Sequence, residues 1–268
     1  MNSLPASRGI AWLIGSLALL RSQPSRLLLM GLILQFLTGF SQAGPLGFLF
    51  VLAIPALTAG LLQAMHGVSR GGRPPLMTMF VAFSAPPRLF RLFVLSLVML
   101  AVGMLAAGGL LSGNLAGLDP AILARLEKGD ISALNSADPE LLRQIMLSVL
   151  AGLLASGLIA YFSIPLVWFR GRSVGPAILA GLAGIFRNVL PMGVLVACMA
   201  LLALPVYFLV SILMRSGGES TLLTLLVLLM LVAYQLLLFG AQYLSFREVF
   251  GMGQAETDTR AGDDQLVA

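Results

Sequence analysis

Six apolar runs, at residues 27–43, 45–65, 90–111, 145–169, 189–214 and 222–246, carry no charge apart from Arg91 at the edge of the third. About 20 apolar residues cross a hydrocarbon core as a helix, and lipid offers the backbone no hydrogen-bond partner. Each run must therefore close its own bonds, so the expected fold class is all-α: a polytopic membrane protein with six transmembrane helices. Composition agrees, since 59% of the 268 residues are hydrophobic and only 10% are charged. Pro55, Pro165, Pro191 and Pro205 are expected to mark kinks or helix ends within these spans.

Amphipathic interfacial helices are expected at 8–23, 76–88 and 174–188. The first of these follows Arg8, is too short to cross, and is not followed by a small-residue cleavage site, so it reads as retained and not as a leader. Between spans, twelve basic residues fall on one side and four (Arg125, Lys128, Arg143 and Arg215) on the other. That asymmetry puts both termini in the cytoplasm. The opposite side holds one long loop, 112–144, which is mildly acidic. Asp119-Pro120 and Asp138-Pro139 pair a capping residue with a first-turn proline, which predicts short helices over 120–128 and from Pro139 onward. Residues 1–253 form a single transmembrane domain, and 254–268 read as a disordered acidic tail.

An internal repeat is visible at an offset of 166, which superimposes Ala11 on Ala177, Gly15 on Gly181, Ala18 on Gly184 and Arg21 on Arg187. A weaker copy sets Ala82, Ala85 and Arg88 on Gly15, Ala18 and Arg21. Ile54-Pro55 and Ile164-Pro165 occupy corresponding places in two inward spans. The pattern reads as three parallel modules, each an interfacial helix ending in Arg followed by two spans. Chance superposition in a chain rich in Leu, Ala and Gly is the competing explanation.

The stretch Pro5-Ala6-Ser7-Arg8-Gly9 with Trp12, the Arg21 to Pro24 entry to the first span, and Ile164-Pro165 with Trp168 resemble an uncharacterised family of six-helix proteobacterial inner-membrane proteins. The resemblance covers most of the chain. It implies a bacterial inner-membrane location and the six-helix layout, and it transfers no catalytic residue.

For chemistry the inventory is sparse. One cysteine, Cys198, and one histidine, His66, provide neither a disulfide framework nor a metal site, and no cofactor is expected. No nucleophile stands with a base and no paired carboxylates converge, so the chain is not expected to be an enzyme. The net charge of +5 is dispersed between apolar spans, which favours anionic membrane lipid over nucleic acid as the counter-charge. Arg21, Arg88 and Arg187 stand where a short helix turns into the membrane, at the depth of lipid phosphates, and are the candidate phosphate contacts. Gly103 and Ala107 are expected to pack against Gly152, Ser156 and Ala160, because small residues four apart let helix backbones approach. Neutral polar residues inside spans, among them Gln63, Ser96, Tyr161, Gln235 and Gln242, would either bond between helices or line a pathway. The leading reading is a non-enzymatic scaffold, assembly factor or envelope-lipid homeostasis factor with anionic-lipid contacts and a membrane-protein partner or second copy. The alternative is a permease for a neutral or amphiphilic solute.

Overall fold

A computed structural model describes residues 3–39, 47–115, 139–215 and 220–252, and among these every regular element is helical. In chain order they are α1 (Arg8–Ser22), α2 (Pro24–Gly39), α3 (Gly47–Ser69), a 3-10 helix (Leu76–Ser84), α4 (Pro86–Leu115), α5 (Pro139–Arg170), α6 (Val174–Arg187), α7 (Val189–Arg215) and α8 (Thr221–Phe250). Five of them, α3, α4, α5, α7 and α8, are long and apolar enough to cross a membrane; α1 and α2, joined at a 103° bend, qualify only as a pair. The 16 described residues of α2 rise about 24 Å, and the rest of the expected span 27–43 lies outside the described residues. The chain is an all-α, multi-pass membrane protein.

Local chemistry sets the helix ends. Pro24, Pro86 and Pro139 each take the first position of a helix, where a missing N–H removes no bond. The Ser220 hydroxyl accepts from the Leu223 N–H at 3.3 Å at the start of α8, and Gly251 closes that helix in the left-handed region at φ 71°. The helices outrun the apolar runs that predict them, since a helix continues past its hydrophobic stretch until a cap stops it. The expected helix 120–128 and the tail 254–268 lie outside the described residues.

One expectation needs correction, and another is narrowed. Residues 76–88 are not one interfacial helix: a 3-10 helix ends at Ser84, and Pro86-Pro87 starts α4, so Arg88 belongs to the first turn of a span. Pro55, Pro165 and Pro205 do not end their helices, and Pro191 is simply the third residue of α7. The reason is visible at two of them. A proline leaves the carbonyl four residues earlier without its donor. For Pro55 that carbonyl is Val51, which accepts from the Ser96 hydroxyl of α4 at 3.3 Å. For Pro165 it is Tyr161, which accepts from the Gln242 amide of α8 at 2.7 Å. Ser96 and Gln242, both buried, thus serve the backbones of neighbouring spans.

The starts of α2, α4 and α7 lie beside the ends of α3, α5 and α8, so the spans form three antiparallel pairs. Arg26 reaches the carbonyls of Arg73 and Pro74, Arg91 reaches that of Gly171, and Gly9 packs against the start of α7 while its neighbour Arg8 meets Glu248. The three short helices link these pairs in a ring. The 3-10 helix rests on α3, α6 rests on α5, and α1 closes the circuit on α8. Close approach underlies these seats: a Cβ on Gly60 would strike the Met79 carbonyl, one on Gly240 the Ser16 side chain, and one on Gly181 would come within 3.1 Å of the Ser163 hydroxyl. In α6 the inward stripe contains the small residues Ala177, Gly181 and Gly184. In α1 it is Gly9, Trp12 and Ser16, displaced from the Ala11, Gly15, Ala18 stripe of the repeat alignment. The displacement brings the Trp12 indole N–H to an acceptor on α8.

Packing is uneven along the bundle axis. Residues 55–62 of α3 and 162–168 of α5 are buried on every face, at the end where the arginines gather. Toward the other end Leu153, Leu154, Leu201 and Leu225 are each more than half exposed, as lipid-facing positions are.

Candidate functional site

Among the described residues, polar side chains of many elements converge at the arginine-rich end. Arg8 and Trp12 of α1 both engage Glu248 of α8. The Arg8 Nη2 donates to Oε2 at 2.8 Å, its Nε lies 2.7 Å from Oε1 in an ionic contact without hydrogen-bond geometry, and the Trp12 indole donates to Oε2 at 2.7 Å. Asn188, buried between α6 and α7, accepts from the Leu4 N–H at 3.0 Å and donates to the Gly184 carbonyl at 2.9 Å. Arg170 donates to the Phe250 carbonyl and Arg91 to that of Gly171. These bonds cross-tie this end into a plug.

His66, Tyr243 and Ser69 form a directional chain within the plug. The single proton of the Ser69 hydroxyl goes to the His66 carbonyl at 2.8 Å, so Ser69 accepts from the Tyr243 hydroxyl at 2.9 Å. Tyr243, its proton spent, then accepts from His66 Nδ1–H at 2.9 Å. This wiring fixes the imidazole tautomer and commits the Ser69 proton to a backbone carbonyl, which is a tying role. Trp168 donates to the Gln63 amide oxygen at 3.0 Å, and the Arg247 guanidinium lies 6.0 Å from the Tyr243 ring centroid.

The three arginines singled out by the sequence all sit at this end and are exposed. Arg21 and Arg187 stand in the last turns of α1 and α6. Arg88, in the first turn of α4, lies over the Trp168 ring at 5.3 Å from its centroid. They occur on three different elements and share no acidic partner with Arg8. Among residues whose side chains are described, Glu248 is the only carboxylate, and Arg8 occupies it.

The small-residue set lies elsewhere, between α4 and α5. A Cβ on Gly152 would lie 2.6 Å from the Gly103 carbonyl and 3.1 Å from the Ala107 Cβ, and the Ser156 hydroxyl donates to the Met99 carbonyl at 2.8 Å. Ala160 is half-buried against the core. Most of the neutral polar groups inside spans are tied between helices: Ser96 and Gln242 to proline-freed carbonyls, Tyr161 to the Ser245 hydroxyl at 3.0 Å, Gln63 to Trp168. Gln235 differs. It stands halfway along α8, seven residues before Gln242 and so on the same helix face, and its buried Oε1 has no hydrogen-bond partner among the described residues.

Among the described residues no group of three or more His, Cys, Asp or Glu side chains is placed to hold a metal ion. Sequence reasoning missed Glu248. Nothing near it in the sequence marked it, since its partners lie 240 and 236 residues away.

No family model, curated protein or solved structure matches this chain. The functional reading therefore rests on its own residues.

Proposed function

We propose that the protein is a non-enzymatic scaffold or assembly factor of the bacterial inner membrane, with cytoplasmic termini and an arginine-rich end that holds anionic phospholipid head groups. The observation that carries this reading is the division of labour among the arginines. Arg8, Arg26, Arg91 and Arg170 are held by protein oxygens, whereas Arg21, Arg88 and Arg187 are exposed near the starts of spans, with no carboxylate beside them among the described residues. A guanidinium there meets phosphate through two donors. A second copy or a membrane-protein partner would meet the exposed apolar flanks of the spans.

The test separates charge from geometry. A triple Arg21→Lys, Arg88→Lys, Arg187→Lys variant keeps the charges that orient the chain and loses the planar fork. Native mass spectrometry from matched membranes is expected to find correct insertion with less retained cardiolipin or phosphatidylglycerol, and less still in the Gln triple variant. Equal retention in all three proteins, with topology intact, refutes the reading.

A permease for a neutral or amphiphilic solute is the second reading, and Gln235 favours it. A buried amide oxygen halfway through a span, without a protein donor, is a place where a solute hydroxyl or amine would be recognised. Uptake by proteoliposomes that is abolished by Gln235→Leu would support it.

A further inference from the structure

Arg26, like Arg91 and Arg170, is anchored on backbone carbonyls without being used up, and it alone of the three lines the groove beside Ser25. Its Nη1 donates to the Arg73 carbonyl at 2.8 Å and to the Pro74 carbonyl at 3.3 Å, so the turn between α3 and the 3-10 helix fixes the plane of the guanidinium. No described residue accepts from its Nε or Nη2. That edge is the one that grips two oxygens of a phosphate in parallel. Arg21 and Arg187 are exposed and Arg88 is exposed over the Trp168 ring, whereas Arg26 is half-buried and held by two carbonyls, so less freedom is lost when it binds.

Arg26 also lines an open groove of about 370 Å³ together with Ser25, Leu29, Pro74, Pro75 and Leu76. The walls beyond the Ser25 hydroxyl and the guanidinium are apolar, and Leu29, one turn into α2, is 44% exposed. No acidic residue lines the groove. An inorganic anion would match only its upper part. A molecule with a phosphate at one end and a hydrocarbon chain running along Leu29 and Leu76 matches all of it.

Resting on the reading that this end holds anionic lipid, we propose that the Ser25–Arg26 groove is a specific phospholipid site, with the phosphate on the free edge of Arg26 and an acyl chain against Leu29. The exposed arginines grip further head groups at the surface, and the groove supplies a single site with apolar walls.

The experiment is native mass spectrometry of the full chain released from vesicles containing phosphatidylglycerol, comparing wild type with Arg26→Lys and Leu29→Trp. Leu29→Trp blocks the groove from an exposed position without touching a charge, so it remains interpretable if the Arg26 variant fails to fold. The expected result is one tightly retained lipid in wild type, with retention reduced about tenfold in each variant and unaffected by excess inorganic phosphate. Retention equal to wild type in Leu29→Trp and in folded Arg26→Lys overturns the groove site, as does displacement of the lipid by inorganic phosphate. The Arg21, Arg88, Arg187 triple-Lys variant separates the two proposals. Loss of bulk anionic-lipid preference there, with the groove variants at wild-type retention, removes the groove alone; wild-type retention throughout removes both.

Discussion

If Gln242 is present in α8 because Pro165 leaves a carbonyl without a donor in α5, then removing the proline should remove the need for the glutamine. Gln242→Leu keeps roughly the same volume at a buried position but leaves the Tyr161 carbonyl unpartnered, which costs about 1–3 kcal/mol. Pro165→Ala restores an N–H at position 165, which can close the ordinary bond to Tyr161. It also deletes ring carbons at a buried site, so by itself it is expected to be destabilising by about 1–2 kcal/mol. In the Pro165→Ala background the Gln242→Leu change should cost less than about 0.5 kcal/mol, since the carbonyl already has its donor. The double-mutant cycle is therefore expected to show a coupling of about 1–2 kcal/mol, readable as non-additive midpoints of unfolding in a matched detergent. Strict additivity would refute the argument, because two residues joined only by packing have no reason for one to become dispensable when the other is replaced.

The α4–α5 contact makes a second prediction. Relieving a Cβ at 2.6 Å from the Gly103 carbonyl to the ordinary 3.4 Å needs about 0.8 Å of separation, enough to break the Ser156–Met99 bond. Gly152→Ala should therefore lower stability by about 1–3 kcal/mol, whereas Gly157→Ala, where a Cβ would meet nothing within 4 Å, should be neutral or mildly stabilising in the same melting assay. At the α1–α8 seam, Glu248→Ala leaves the buried Trp12 indole without an acceptor and should cost about 1–3 kcal/mol. Glu248→Gln should cost about 1 kcal/mol or less, because the half-exposed ion pair is screened and an amide oxygen still serves the indole. For topology, single cysteines at Ser3, Gly72 and Arg172 in a Cys198→Ala background should react with an impermeant thiol reagent from the cytoplasmic side, and one at Ser220 from the opposite side; labelling of Ser220 together with Gly72 from one side would overturn the crossing pattern.

The spans were readable because an uncharged apolar run of that length has one stable answer in lipid. Their limits were not, since a cap such as Gly251 stops a helix several residues beyond the hydrophobic signal. At the prolines the choice between a kink and an end was not legible, for a related reason. A proline inside a helix looks like an ending when its own stretch of sequence is considered alone, and the groups that let α3 and α5 continue lie 45 and 81 residues further along the chain. The repeat was legible as spacing but not as rotation about the helix: α1 turns its Trp12 inward where the alignment favours small residues. Arg21, Arg88 and Arg187 were found by position. The anchored Arg26 was not, because what distinguishes it is a pair of carbonyls in a turn nearly fifty residues downstream.

Closing the ring through α1 and α8 also sets a timetable for biosynthesis. Trp12 and Glu248 are 236 residues apart, and at about 5–20 residues per second the ribosome needs roughly 12–47 s to make the second after the first. Through that interval α1 has been made but its seat has not, so an indole and a guanidinium destined for one carboxylate must wait in the interfacial zone. The emergence of α8 is what releases them. A nascent chain halted before α8 would keep α1 accessible to proteases and to the insertion machinery, and the moment at which that accessibility disappears would report completion of the bundle.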